Sequence, residues 1–478
     1  MSGFSQVIIW SRFLLVSRDC LAVNDEEAGE KWRAGDAAKS TRFFSRALDQ
    51  YHAGLELFPR NFDLAYNRAR LQYDLAQQPR LLNHLPFTVV ELLEVALESH
   101  RYALDINQDN ADLLFNTAQV LTSIAEASTE RIPTENGSME NLQFLQEALE
   151  FFQRCLSLQS YQLTQREELE TSVMTNPSEQ PISTFGPNQE SQTDAVEEEV
   201  WTSIEEPVTD DSLIDTLMAQ LGTLTTIMSV ARPIVNLGWI EEYYCEMLQS
   251  RVELFSKSSE RLGEIRLMKA KFWTALADAK FHHQNIGILA YEHELNISFD
   301  RNFDLQRNEQ GLIDRADAEI TFCNSILETN RGISEPEVLQ LSSIRWRHVT
   351  KALEDLTAAS KLPQADNLAR VHLRRGDCEL MRYGLGKGPY PHELAAKSTP
   401  TLIGNAEIYY RGAAKLGLIT GAAEEEREAS VKEAVVAKLC GNPEKYNSLL
   451  LNNRELTLEI VRDMQDDYLL SNLDLEKF

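Results

Sequence analysis

The stretch NFDLAYNRARLQYDLAQ, residues 61–77, reads as an amphipathic helix, and NADLLFNTAQVLTSIAE, residues 110–126, is written to nearly the same plan. Asn61 answers to Asn110, Asp63 to Asp112, Leu64 to Leu113, Asn67 to Asn116 and Ala76 to Ala125, at a constant offset of 49 residues. One helix written twice marks a repeating unit.

A second helix recurs between these copies. RALDQYHAGLELFP (46–59) sets Ala47, Tyr51, Gly54 and Leu55 at relative positions 0, 4, 7 and 8. VALESHRYALDIN (95–107) sets Ala96, His100, Ala103 and Leu104 there, and EALEFFQRCLSLQ (147–159) sets Ala148, Phe152, Cys155 and Leu156. KALEDLTAASKLP (351–363) and NAEIYYRGAAKLG (405–417) follow with Ala352, Leu356 and Ala359, and with Ala406, Tyr410 and Ala413. Such offsets define one face of an α-helix. Small residues at 0 and 7 let a neighbouring helix approach, and the bulky residue at 4 fills the space between them.

This small–large–small set followed by proline resembles the second helix of a tetratricopeptide (TPR) repeat. Pro59 stands where that proline belongs and Pro363 one residue early. Asn67 and Asn116 match the inner-face position of the TPR first helix. The repeat is divergent: successive copies lie 49, 52 and 54 residues apart, against the usual 34. Additional turns, such as QQPRLLNHLPFT at 77–88, must account for the excess. The resemblance is carried by 26–158 and 335–417.

A single helical hairpin cannot bury its own apolar face, whereas stacked hairpins bury a continuous core and curve around a groove lined by the first helices. The expected fold is all-α, a TPR-like α-solenoid of stacked antiparallel hairpins. Residues 1–25 form an N-terminal segment, 26–158 the N-terminal repeats and 213–478 a C-terminal helical-repeat region. Between them, 159–212 is rich in Ser, Thr, Gln, Pro and Glu, with thirteen acidic residues against Arg166 alone. That composition predicts a disordered acidic insertion.

The balance of 46 basic against 74 acidic residues gives a net charge of −28. Such a chain is repelled by phosphate backbones and anionic lipid heads, so direct nucleic-acid binding is not expected and a basic protein client is. The six cysteines are scattered, with no CxxC pair, as in a reduced cytoplasmic or nuclear protein. The start, MSGFSQVIIWSRFLLVSRDC, has Arg12 and Arg18 and no acid before Asp19. It is compatible with a mitochondrial targeting sequence or with a first helix. No apolar run reaches the roughly 20 residues of a membrane span.

Little in the sequence points to catalysis. The glycine run YGLGKGPYPH (383–392) lacks phosphate-loop spacing and a preceding strand. His282, His283 and His293 have no companion cluster. No cofactor, metal or catalytic residue is expected, and the chain reads as a non-enzyme. Among TPR domains, the carboxylate clamp that holds chaperone C-terminal tails uses an Asn where Asn67 stands, with Lys and Arg on the next first helix. Asp112 and Asn116 occupy those positions, so the resemblance implies a groove that repels an acidic tail.

Tentative partner-binding residues are therefore Asn67 and Asn116, together with Trp201 among Glu197, Glu198 and Glu199 in the insertion. Packing instead of client contact is the alternative for each. RWRHVTK (345–351) and RVHLRRGD (370–377) form a basic stretch that could meet the insertion, an acidic partner or solvent. A TPR array interrupted by an acidic segment is similar in layout to the histone-binding NASP family and to acidic TPR proteins that escort nascent ribosomal proteins. That layout implies an adaptor or dedicated chaperone. A structural subunit of a larger complex and an enzyme with an unrecognised site are the alternatives.

Overall fold

The structure is a computed structural model and describes residues 20–129, 135–175, 207–230, 236–258, 261–300, 305–329, 335–363, 367–387, 390–470 and 474. Among the described residues there is helix and turn but no strand. The chain divides into two compact units, Met1–Lys257 and Ser258–Phe478.

In the first unit α1 (20–33) leads into α2 (Ala37–Leu57), α3 (Phe62–Ala76) and the single turn α4 (Pro79–Leu82). Then come α5 (Val89–Ile106), α6 (Ala111–Thr129), α7 (Glu135–Thr175) and α8 (Asp210–Val230). The short α9 (Leu237–Tyr243) joins α10 (Gln249–Ser258) through a π-helical turn at Tyr244–Leu248. Each long helix packs on its chain neighbours: α2 on α3, α3 on α5, α5 on α6, α6 on α7 and α7 on α8. This nearest-neighbour packing is that of a helical solenoid. The duplicated asparagines start the repeated helices, since Leu64 N donates to Asn61 Oδ1 and Leu113 N to Asn110 Oδ1, both at 2.8 Å. Asp63 and Asp112 follow in the first turns, where a negative charge meets the positive end of the helix dipole.

The small–large–small positions form the seams. Ala47, Tyr51, Ala96, His100, Ala103, Ala148 and Phe152 are all buried, as are Ala352, Ala406 and Tyr410 in the second unit. Gly54 is small for a reason: a Cβ there would lie 2.9 Å from Leu64 Cδ1 of the next helix. The excess length of the first repeats is taken up by α4, whose Leu81 is buried and whose carbonyl accepts from Thr41 Oγ1 at 3.3 Å.

The second unit runs α11 (Leu262–His282), α12 (Ile288–Asp300), α13 (Glu309–Thr329), α14 (Glu335–Ala359) and α15 (Leu368–Leu385). It ends with α16 (Glu393–Thr420), α17 (Ala423–Leu439), α18 (Glu444–Asn452) and α19 (Arg454–Asp466). Packing again proceeds between neighbours from α13 through α17. α16 contains Pro400 and closes on Gly421 in the left-handed region, φ 75°.

Two expected boundaries are corrected. Residues 159–175, expected in the insertion, continue α7, because Gln159 is buried and accepts from Thr216 Oγ1 at 2.9 Å. The boundary at 212/213 separates nothing compact: α8 packs on α6 and α7, and the division falls at 257/258. α8 also has the length and hydropathy of a membrane span, but 56% of that window is buried inside the protein. Residues 20–25 belong to α1, with Ala22 buried and Asp25 Oδ1 3.0 Å from Arg46. Residues 1–19, where a targeting signal would lie, are outside the described residues, as are 176–206 of the insertion.

Candidate protein-binding surface

The first helices α3, α6 and α8 share a band of amides, hydroxyls and carboxylates. Asn116 Nδ2 donates to Tyr66 Oη at 3.1 Å, linking α6 to α3. Tyr73 Oη donates to Gln119 Oε1 at 3.4 Å and shares a hydrogen bond with Ser123 Oγ at 3.3 Å, which also accepts from Gln77 Nε2 at 3.3 Å. On the far side of α6, the Thr122 and Thr223 hydroxyls meet at 3.2 Å, and Thr226 Oγ1 donates to Glu126 Oε1 at 2.9 Å. Asn67 is half-buried and its side chain has no hydrogen-bond partner among the described residues.

The rim of this band is acidic. Arg70 is spoken for within the chain, bonded to Glu26 at 2.5 Å and Asp74 at 2.9 Å. Glu26 in turn accepts from Tyr51 Oη at 2.5 Å. Asp112 and Glu126 are exposed. Burial, followed by the charge of Asp112, pushes the Tyr66 hydroxyl up to about 12. Burial also raises Tyr73 and Asp74, with Arg70 opposing the rise at Asp74. At neutral pH the tyrosines are therefore neutral donors. Tyr66 is additionally fixed by stacking on Phe62, ring centroids 5.8 Å apart.

Rigid aromatics beside adaptable amides and hydroxyls suit recognition of a polypeptide. Carboxylates at the rim suit lysine and arginine on that polypeptide.

The other sequence expectations are distributed differently. Trp201, Glu197, Glu198 and Glu199 lie outside the described residues. Most of the basic stretch is paired inside the second unit, although Arg370 is exposed: Arg347 pairs with Glu292 at 2.5 Å and Lys351 with Glu319 at 2.7 Å. Arg374 lies 3.6 Å from Asp317, and Arg375 sits 4.2 Å over Tyr409 and donates to its hydroxyl at 2.9 Å. His282 faces Asp278 and Glu328, both at 3.6 Å. Among the described residues no group of three His, Cys, Asp or Glu is placed to hold a metal.

Sequence reading missed Tyr66, Tyr73, Gln119 and Ser123. The signal was present in the same 49-residue offset, which aligns Tyr66 with Phe115 and Asp74 with Ser123.

No protein-family model matches the chain. It is 25% identical over 414 residues to the UPF0656 protein C926.02 of Schizosaccharomyces pombe, a match covering 82% of each sequence. A solved structure described as a circular tandem repeat protein with novel repeat topology and enhanced subunit contact surfaces aligns over 98% of both chains at 13% identity. Its TM-score of 0.29 is too low to carry an argument.

Proposed function

We propose that this chain is a non-enzymatic TPR-type scaffold that binds a basic protein client on the face of α3, α6 and α8, as an adaptor or dedicated chaperone of the cytoplasm or nucleus. The supporting observation is the acidic rim of Asp74, Asp112 and Glu126 around the half-buried Tyr66–Asn116 and Tyr73–Ser123 pairs. The cations near it among the described residues are paired within the chain, Arg70 with Glu26 and Asp74 and Arg33 with Glu30. A client lysine or arginine would meet carboxylates there, and its backbone would meet the amides of Asn67 and Gln119.

Affinity purification with mass spectrometry identifies the client, and the same purification from Tyr66→Ala and Asp112→Lys variants tests the face. Both variants should lose a client of basic composition, with circular dichroism showing that each remains folded at the temperature of the purification. Undiminished recovery of every partner by both would sink the reading.

A fixed subunit of a larger assembly is the second reading. It is favoured by the apolar side chains that α16 leaves exposed, Leu394, Ile408, Leu418 and Ile419. Size-exclusion chromatography of the isolated chain separates the two: a chaperone is monodisperse alone, whereas an obligate subunit aggregates.

A further inference from the structure

The exposed flank of α2 carries the opposite charge from the client face. Lys39, Arg42, Phe43 and Arg46 line a cleft of about 290 Å³. Lys39 Nζ lies 3.2 Å from the centroid of the Trp32 ring, and the Arg46 guanidinium lies 5.4 Å from that of Phe43. The cations are thus held against aromatic faces, which orders them without neutralising them. Arg46 has one carboxylate in contact, Asp25 at 3.0 Å, and remains 63% exposed. Arg42 is exposed and has no partner among the described residues. The two carboxylates nearby are Asp25 on Arg46 and Asp36, which accepts from the Lys39 backbone N–H at 2.9 Å, so three cations still outnumber the acids here in a chain of net charge −28.

We propose that this cleft binds a short acidic peptide segment of a partner protein, with carboxylates flanking one apolar residue that rests on Phe43. Spacing supports this. Lys39 and Arg46 are separated by about 10 Å of helix rise. The first and fifth residues of an extended peptide are about 13 Å apart and point to the same side, and the long basic side chains take up the difference. The third residue of such a peptide then faces Phe43. A nucleic acid fits less well, because its phosphates continue past the cleft into the field of the acidic chain.

The test is fluorescence anisotropy of the full-length protein with three labelled probes: a peptide with Glu-Ser-Phe-Ser-Glu at its centre, the same peptide with Gln for Glu, and an oligouridylate of matching length. The Glu peptide should bind about tenfold or more tightly than the Gln peptide. Arg42→Glu should weaken it by a similar factor, and Phe43→Ser several-fold. Because Arg42 is exposed, its variant should melt with the parent, and circular dichroism checks this. Absence of Glu-peptide binding at millimolar concentration overturns the proposal. Equal binding of the Glu and Gln peptides, or a Kd indifferent to Arg42→Glu, does the same. Tighter binding of the oligouridylate, lost in Arg42→Glu, would assign the cleft to nucleic acid instead.

Discussion

Tyr410 of α16 donates its hydroxyl to Asp377 Oδ1 of α15 at 2.8 Å, and its ring lies on Gly376, where a Cβ would come within 2.5 Å of ring carbon Cε1. The same carboxylate oxygen accepts from Lys432 Nζ of α17 at 2.9 Å, so one buried acid ties three successive helices. The device recurs. Tyr51 donates to Glu26, and Tyr291 donates to Asp278 at 3.0 Å. A large residue that fills a seam as tyrosine must find a partner for its hydroxyl when buried, and the preceding helix supplies it.

Gly376→Ala should therefore destabilise the protein by about 1–3 kcal/mol, the usual cost of overpacking. Gly404→Ala in α16, where a Cβ would meet nothing within 4 Å, should instead gain up to about 1 kcal/mol from helix propensity. Urea denaturation of the two variants reads the opposite signs. Equal shifts would mean that Tyr410 does not rest on Gly376.

Breaking the buried cluster from its two ends should cost unequal amounts. Tyr410→Phe leaves Asp377 with Lys432 still bonded and should cost about 1–3 kcal/mol. Asp377→Ala leaves the buried Lys432 ammonium with half-exposed Glu428, 2.7 Å away, in place of a buried partner. That variant should cost about 3–5 kcal/mol. Burial works against the charge of Lys432, but Asp377 and Glu428 hold its pKa above the ordinary value. Its contribution is therefore complete below the ordinary lysine range and is lost as pH rises through the raised pKa. Denaturant titrations of parent and Asp377→Ala at pH 7 and pH 11 should show the difference between them shrinking at the higher pH.

Much of the fold was legible because packing and repetition speak in the same residues. Ala96, Ala148, Ala352 and Ala406 share one position, and each is buried at a helix seam. The sequence was silent where one residue carried two meanings. Pro400 reads as a helix start, yet α16 begins at Glu393 and runs through it. The apolar residues of α12 do not form a clear stripe, although Tyr291 is fully buried there. The proposed binding face is half legible. Asn67 and Asn116 stand out by alignment, whereas the hydroxyl contacts of Tyr66 and Tyr73 between α3 and α6 appear only once the helices are packed. Charge pairing across a helix seam, such as Arg315 of α13 with Asp355 of α14 at 2.7 Å, leaves no mark in a single sequence.

Overpacking of the first-unit seam is a direct test of register. Ala96 is wholly buried between repeats, so Ala96→Leu should lower stability by about 1–3 kcal/mol. Thermal melting checks it, and an unchanged midpoint would place Ala96 on the surface.

His100 should make the first unit sensitive to mild acid. Its ring fills the large position of its seam, fully buried, with Nδ1 on the Ala96 carbonyl at 2.7 Å. Burial lowers its pKa to about 4 from 6.5, and the carbonyl bond only partly opposes this. The folded state therefore disfavours the proton that the unfolded state accepts. Stability from the neutral ring is complete above pH 6.5 and drains away as pH falls toward 4, by about 3 kcal/mol in all. His100→Phe places at this position the residue that Phe152 supplies in the next repeat. It should change stability little at pH 7.5 and should flatten the dependence between pH 6.5 and 4. Parallel urea curves for parent and variant at both ends of that window would contradict the burial of His100.

If the α3–α6–α8 face takes the basic client proposed for it, association should carry the electrostatic mark of the acidic rim. Exposed charges separated by more than about 10 Å are screened at 0.1 M salt, so long-range attraction of a basic client fades with ionic strength while short contacts persist. Neutralising Asp112 and Glu126 as Asp112→Asn and Glu126→Gln should slow association severalfold and reduce its salt dependence. Asn67→Ala and Tyr66→Phe should act mainly on dissociation, because they touch short-range bonds. Acid should weaken binding from a higher pH than ordinary carboxylates would set, because burial raises Asp74 and a protonated Asp74 offers no charge to a client cation. Stopped-flow association with the co-purified client, at two salt concentrations and at pH 7.5 and 5.5, distinguishes these contributions. Rates indifferent to salt and to both neutralising variants would remove the α3–α6–α8 rim from client capture.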